Sequence, residues 1–110
     1  MAVKPAHRLK KRYILFDLKG DFSEEEVSRS IYLHSLAFFG EYGLSRRTVK
    51  LIEFEVGRGI ILCDRDSANE VLGMLALIAG IGDKPARPIA RRTGGTLASL
   101  QRKDKVKSTS

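Results

Sequence analysis

Few side chains in this sequence are of a kind that does covalent or acid–base chemistry. The two histidines are His7, in a basic N-terminal stretch, and His34, inside a helical pattern. The single cysteine, Cys63, ends the apolar run Ile60-Ile61-Leu62-Cys63 and reads as a small buried hydrophobe. One cysteine excludes an internal disulfide and cannot supply a thiolate zinc site. Glu24-Glu25-Glu26 follows Ser23 and is the chemistry of a helix start, not of a catalytic carboxylate pair. Gly80-Ile81-Gly82 is too short for a dinucleotide loop and follows a helical pattern where such a loop follows a strand. No nucleophile, base and oxyanion donor come together. The chain alone is therefore expected to be noncatalytic, with no catalytic residue, no metal site and no bound cofactor.

Lysine and arginine are the other candidates, and their chemistry is the binding of anions. They number 20 against 13 aspartates and glutamates, a formal charge of +7, with a pI near 9.9. The excess sits at the two ends. Residues 1–20 carry a net +5 and residues 84–110 a net +7, whereas residues 21–83 carry −5. A basic pI with cationic ends is the electrostatic footprint of a polyanion binder. The rest of the composition, 43% hydrophobic and 30% charged over 110 residues, describes one soluble domain with one modest core. No apolar run has the length to span a bilayer, and the basic stretch from Met1, which lacks an apolar segment, is not expected to act as a signal peptide. The expected location is cytoplasmic, with no membrane partner.

The elements that must position these charges follow from periodicity. Residues 1–10 read as a flexible basic arm. Tyr13 to Lys19 alternates as a strand, with Ile14, Phe16 and Leu18 on one face and Tyr13, Leu15 and Asp17 on the other. Ser23 and Glu26 form a capping box, and the helix they open ends by Gly40, with Gly43 closing a short connection. Val49 to Val56 is a second strand in regular alternation, Gly57-Arg58-Gly59 a tight hairpin, and Ile60 to Asp64 a third strand. Ser67 and Glu70 suggest a second capping box before a helix through Ile78. Pro85 to Thr93 reads as a fourth, edge strand. Thr96 opens a short final helix, Leu97 to Gln101, and residues 102–110 a disordered basic tail. The fold class is α+β, a single ferredoxin-like split β-α-β domain over residues 11–101. Its four-stranded antiparallel sheet has order 4-1-3-2 with both helices on one face.

That topology brings the starts of strands one and two, and the ends of strands three and four, to one rim of the sheet. Lys10, Lys11 and Arg12 precede strand one, Arg46 and Arg47 precede strand two, Arg65 follows strand three, and Arg91 and Arg92 end strand four. These eight are the expected RNA-binding residues, since phosphate attracts such a cluster and arginine adds bidentate contacts. On the open face of the sheet, Tyr13 is placed to stack a base, but strand three lacks the aromatics of an RNA-recognition motif. Tyr13, Leu15 and Leu62 there, with Tyr42 after the first helix, are the expected protein-contact residues. A partner protein or a covering helix would hide Leu15 and Leu62.

With these segments placed, the chain resembles archaeal ribonuclease P protein component 2, a family related to a subunit of human and yeast ribonuclease P and MRP. The resemblance runs from about Lys11 to Leu100. It is carried by Arg12-Tyr13-Ile14-Leu15, Phe39-Gly40-Glu41-Tyr42-Gly43, Gly59-Ile60-Ile61, Cys63-Asp64-Arg65-Asp66, Leu75-Ala76-Leu77-Ile78 and Gly94-Gly95-Thr96-Leu97. It implies a noncatalytic, RNA-binding subunit of an endoribonuclease whose RNA, with magnesium, removes 5′ leaders from precursor tRNA. The implied partners are the catalytic RNA, a TIM-barrel protein subunit, further ribonuclease P proteins and a second copy of the chain, with precursor tRNA met indirectly. The chain departs from the family at Leu62, where a basic residue is frequent, and at Gly94-Gly95-Thr96, where Ser-Gly-Thr is common. The first departure moves the expected RNA contact to the rim.

Two other functions share the fold. A ligand-sensing or dimerisation module of a metabolic enzyme would need a polar pocket at a dimer interface. A small hydrolase of the acylphosphatase kind would need an anion-binding loop after strand one, where Lys19-Gly20-Asp21 offers none.

Overall fold

The computed structural model describes residues 10–97 and Leu100; the rest of the expected basic arm and the whole expected tail lie outside the described residues. Strand β1 (Lys11–Asp17) opens the fold. It sends Ile14 and Phe16, both fully buried, and then Leu18 into the main core. Helix α1 (Glu24–Ser45) starts at the expected capping box. Ser23 Oγ accepts from the Glu26 amide at 3.1 Å, and the Ser23 amide donates back to Glu26 Oε1 at 2.9 Å. Its buried residues are Val27, Ser30, Ile31 and Ser35. At Gly40 the helix breaks, with φ +78° and ψ 167°, a conformation that glycine adopts without steric cost. The chain does not then run on as a connection through Gly43. It re-enters helix as far as Ser45, which places Arg46 and Arg47 immediately after a helical end.

Strands β2 (Val49–Glu55) and β3 (Arg58–Asp64) form a hairpin. Its turn is Val56-Gly57, not the expected Gly57-Arg58-Gly59. Both turn residues have positive φ, 52° and 74°, as a two-residue type I′ turn requires. Arg58 therefore pairs with Glu55 inside the ladder. Gly59 lies under the Phe16 ring, where an added Cβ would fall 2.5 Å from Phe16 Cζ. Phe16 and Phe54 stack there at 6.4 Å. The expected regular alternation of β2 is interrupted. The register shifts between Leu51 and Glu53, leaving Ile52 as a bulge residue. Leu51 and Phe54 consequently both pack on the helix-covered core, whereas Lys50 and Ile52 belong to the open side.

A 3₁₀ turn (Arg65–Ser67) leads into α2 (Ala68–Leu77). The second expected capping box does not form, because Ser67 takes a helical conformation and makes no side-chain cap bond. Val71, Met74 and Leu75 turn inward. After α2 a two-residue pair, β4 (Gly80–Ile81) with β5 (Lys84–Pro85), makes its own small hairpin, and β6 (Ile89–Gly94) completes the main sheet. The fourth strand of the expected fold is thus β6 alone. The sheet order is β2-β3-β1-β6, antiparallel throughout. This is the expected 4-1-3-2 arrangement, with both helices on one face.

Two cores result. The larger lies between helices and sheet and joins Ile14, Phe16, Leu18, Ile61 and Cys63 to Val27, Ile31, Val71, Met74, Leu75 and Ile78. The smaller lies on the other face, where Leu100 packs on Leu15 and Ile60, flanked by Tyr13, Ile52 and Leu97. Leu97 and Leu100 are helical, and the Leu100 amide reaches Thr96 O at 3.5 Å. The chain's own C-terminal segment thereby covers Leu15.

Candidate nucleic-acid interface

The rim is built by backbone pairing before any side chain is considered. Lys11 pairs with Asp64, and Val49 with Cys63, so the starts of β1 and β2 flank the end of β3. Two bonds extend the alignment beyond the ladder. The Arg65 amide donates to Lys10 O at 3.2 Å, and the Thr48 amide donates to Asp64 Oδ2 at 2.7 Å. Lys10 and Arg65 are therefore neighbours, and Thr48 holds the chain just after Arg46 and Arg47 against the same corner. Asp64 spends an oxygen on this backbone bond.

Six of the eight expected residues come together here: Lys10, Lys11, Arg12, Arg46, Arg47 and Arg65. They are not equivalent. Lys10, Lys11, Arg46 and Arg65 are exposed, and no ion pair among the described residues occupies them. Arg12 is half-buried between Cys63, its pairing partner, and Gly95. Burial, reinforced by the charge of Asp64 and opposed by that of Arg12, pushes the Cys63 thiol up to about 11, so it stays a neutral thiol. Arg47 is committed to the fold. Its Nη1 donates to Gly43 O at 3.1 Å and its Nη2 to Glu70 Oε1 at 3.1 Å. Its guanidinium lies 4.6 Å from the centre of the Phe39 ring. This arginine ties the end of α1 to α2 and has little left for phosphate.

Arg91 and Arg92 are not at the rim, which corrects the expectation. β6 runs on to Gly94, and it is Gly94 that pairs with Tyr13 near the cationic corner. Arg92 sits mid-strand opposite Leu15. Arg91 is the extra residue of a bulge, where β6 shifts register between Leu15 and Phe16 of β1. Its Nε donates to Asp17 Oδ2, while Arg58 Nε donates to Asp17 Oδ1 at 3.0 Å. Burial alone would raise the Asp17 pKa, but the hydrogen bonds and charges of the two arginines outweigh it and hold the carboxyl below its ordinary value. Reading the sequence missed this triad. Asp17 ends β1 opposite Arg58, the first residue of β3, a pairing hidden while Arg58 is read as part of the turn, and the bulge that delivers Arg91 leaves no mark in the residue pattern. A broad concavity of about 1430 Å³ opens at this opposite end, lined by Lys19, Asp21, Glu53, Glu55, Arg58 and Arg91 among others. Its charges are mixed, so it offers no site for a polyanion. Lys50, also missed, is exposed and pairs with Leu62 on the open face beside the rim.

The expected protein-contact residues divide as well. Leu15 is only 4% exposed because Leu100 covers it, so its partner lies in the same chain. Tyr13 and Leu62 are half-buried, and Tyr42 is 75% exposed. His34 Nδ1 lies 2.9 Å from Ser30 O and 3.2 Å from Ser30 Oγ, contacts within its own helix. Among the described residues no group of three or more His, Cys, Asp or Glu side chains is placed to hold a metal ion. The exposed cations are of a kind that attracts phosphate.

Comparison with known proteins points the same way. The model of the Rpp14/Pop5 family matches residues 12–104. Ribonuclease P protein component 2 of Methanocaldococcus jannaschii is 34% identical over 105 residues, covering 94% of this chain and 75% of that protein. The proteins of the same name from Pyrococcus furiosus and Pyrococcus horikoshii are 33% and 36% identical, each alignment covering 90% of this chain and 86% of the relative. Among solved structures, a chain in the cryo-EM structure of yeast ribonuclease MRP superimposes with a TM-score of 0.66. That match covers 91% of this chain and 95% of the other at 5% identity, a likeness of fold alone.

Proposed function

The chain belongs to the Rpp14/Pop5 family, and from that premise we propose that it is a noncatalytic protein subunit of ribonuclease P. In this role it supports a catalytic RNA that removes 5′ leaders from precursor tRNA. The observation that carries the reading is the corner where Lys10, Lys11, Arg46 and Arg65 stand exposed and free of ion pairs among the described residues, in a chain whose curated relatives carry that subunit's name. Folded RNA brings phosphates from several strands close together. A preassembled cationic corner meets them without reorganising and gains from counterion release. Phosphodiester hydrolysis is left to the RNA, and the magnesium of that reaction is held by the RNA.

The protein partner in this proposal is a TIM-barrel subunit of the same complex. Tyr32 and Leu33, successive residues of α1 at 56% and 52% exposure, are large hydrophobic side chains that such a contact would cover. Self-association of the chain and contacts with further subunits belong to the same reading, as does a place in the cytoplasm beside the RNA.

The test is binding of the cognate ribonuclease P RNA across a salt series. The wild-type chain is expected to lose affinity steeply with salt. Replacing Lys10, Lys11, Arg46 and Arg65 together by Ala should lower the log–log slope by roughly 3, somewhat under one unit for each phosphate that is no longer neutralised. Replacing Arg91 and Arg92 should leave the slope unchanged. A four-cation variant with the wild-type slope would reject the rim as the RNA contact. Co-purification from native lysate, with the RNA sequenced and the proteins identified, checks the assembly itself.

A further inference from the structure

Tyr42 is the most exposed aromatic of the described residues, at 75%, and yet it is held in place. Ser45 Oγ donates to Tyr42 O at 2.7 Å, and the Arg46 amide donates to Gly43 O at 3.3 Å, which fixes the short helical segment after Gly40. The Arg46 guanidinium donates to the phenol oxygen at 3.0 Å and stands 5.4 Å from the ring centre. The next residue, Arg47, anchors the same segment to Phe39, Gly43 and Glu70. A lone exposed tyrosine means little. A tyrosine pinned by one of the four exposed cations of the phosphate-binding corner is placed where an RNA backbone runs.

The sheet explains why stacking would occur there. Folds of this class stack bases on aromatics of the open face. In this chain Leu100 and Leu97 cover that face beside Tyr13, which is left half-buried. We propose that Tyr42, oriented by Arg46, is a stacking platform for an unpaired base of the bound RNA, while Arg46, Lys10, Lys11 and Arg65 hold the flanking phosphates. The inference rests on the RNA-binding reading above. It adds that the RNA segment at this corner is single-stranded, a loop or a bulge, because bases inside a helix offer no free face. Arg46 contributes twice, through the ring it orients and through its charge.

The test uses the full chain with two probes, a single-stranded oligoadenylate and a blunt RNA duplex with the same number of phosphates. Tyr42→Ala is expected to weaken single-strand binding roughly tenfold, to change duplex binding by less than about twofold, and to leave both salt slopes as they were. Tyr42→Phe should restore most of the loss. Circular dichroism and a urea transition matching wild type establish that Tyr42→Ala folds. Equal loss on both probes, or no loss on either, overturns the stacking platform while leaving the cationic corner intact. A wild-type chain that binds neither probe in dilute salt overturns the corner and the platform together.

Discussion

Asp17 accepts hydrogen bonds from two arginines that lie far apart in sequence, Arg58 and Arg91. Burial works against its charge, and the two guanidinium groups more than offset that, so its pKa in the folded chain lies below the ordinary 3.8. A depressed carboxylate pKa stabilises the fold above the unfolded value, and that contribution disappears as pH falls through the folded one. Asp17→Asn should therefore cost stability at neutral pH, with the gap to wild type narrowing once the pH drops below about 3.8. Urea transitions recorded over a pH series read this directly. Arg47 gives a second contrast at the same scale. Its ion pair with Glu70, its contact with Phe39 and its bond to Gly43 O are together worth about 1–2 kcal/mol. Arg47→Ala should lower unfolding free energy by that amount with little change in the salt slope of RNA binding. Arg46→Ala should do the reverse. Adjacent arginines thus divide into one tied into the fold and one left exposed, the proposed phosphate contact.

Irregularities decide what each element presents. The β2–β3 turn places Val56 at φ +52°, with the residue 99% exposed. A β-branched residue is costly in that left-handed region and gains no packing in return. Val56→Asn keeps the turn type and should raise stability by about 1 kcal/mol in thermal or urea unfolding. The bulge at Ile52 swaps the faces of the second half of β2, which lets Phe54 reach Phe16. The bulge at Arg91 turns that side chain onto Asp17 and away from the rim. Gly40 breaks α1 and permits the extra helical turn that carries Tyr42 and Arg46. An uninterrupted helix would carry those residues along its own axis, off the corner.

For the molecule as a whole, the balance between its two faces matters most. The helix face holds the larger core, while the open face is closed by Leu100 over Leu15 and Ile60. Leu100 is 1% exposed, and its truncation leaves a cavity between the C-terminal segment and the sheet. Leu100→Ala should cost about 2–4 kcal/mol in urea unfolding. It should also increase binding of a hydrophobic dye, since Leu15 and Ile60 then meet water. Closing that face covers the sheet surface on which RNA-recognition motifs stack bases, in keeping with the proposal that RNA is met at the rim. The cationic corner is itself a whole-molecule property, because residues near positions 10, 46 and 65 meet only when three strands align.

The order of strands and helices, the first capping box and the core-facing residues of β1 were legible in the sequence, because each depends on residues within one or two turns of each other. Ile14, Phe16 and Leu18 mark a buried face by period alone, and Ser23 with Glu26 marks a helix start by local hydrogen bonding. Topology then put Lys10, Lys11, Arg46 and Arg65 at one rim without any atomic detail. Register was not legible. A single bulge residue reverses the faces beyond it and moves partners along the neighbouring strand, so the place of Arg91 and the alternation of β2 were fixed only by pairing across the sheet. The capture of Arg47 by Glu70 and the burial of Leu15 under Leu100 likewise depend on contacts between distant segments. Local chemistry chose the elements; which cations stay exposed and which are drawn into ion pairs was decided by how those elements meet.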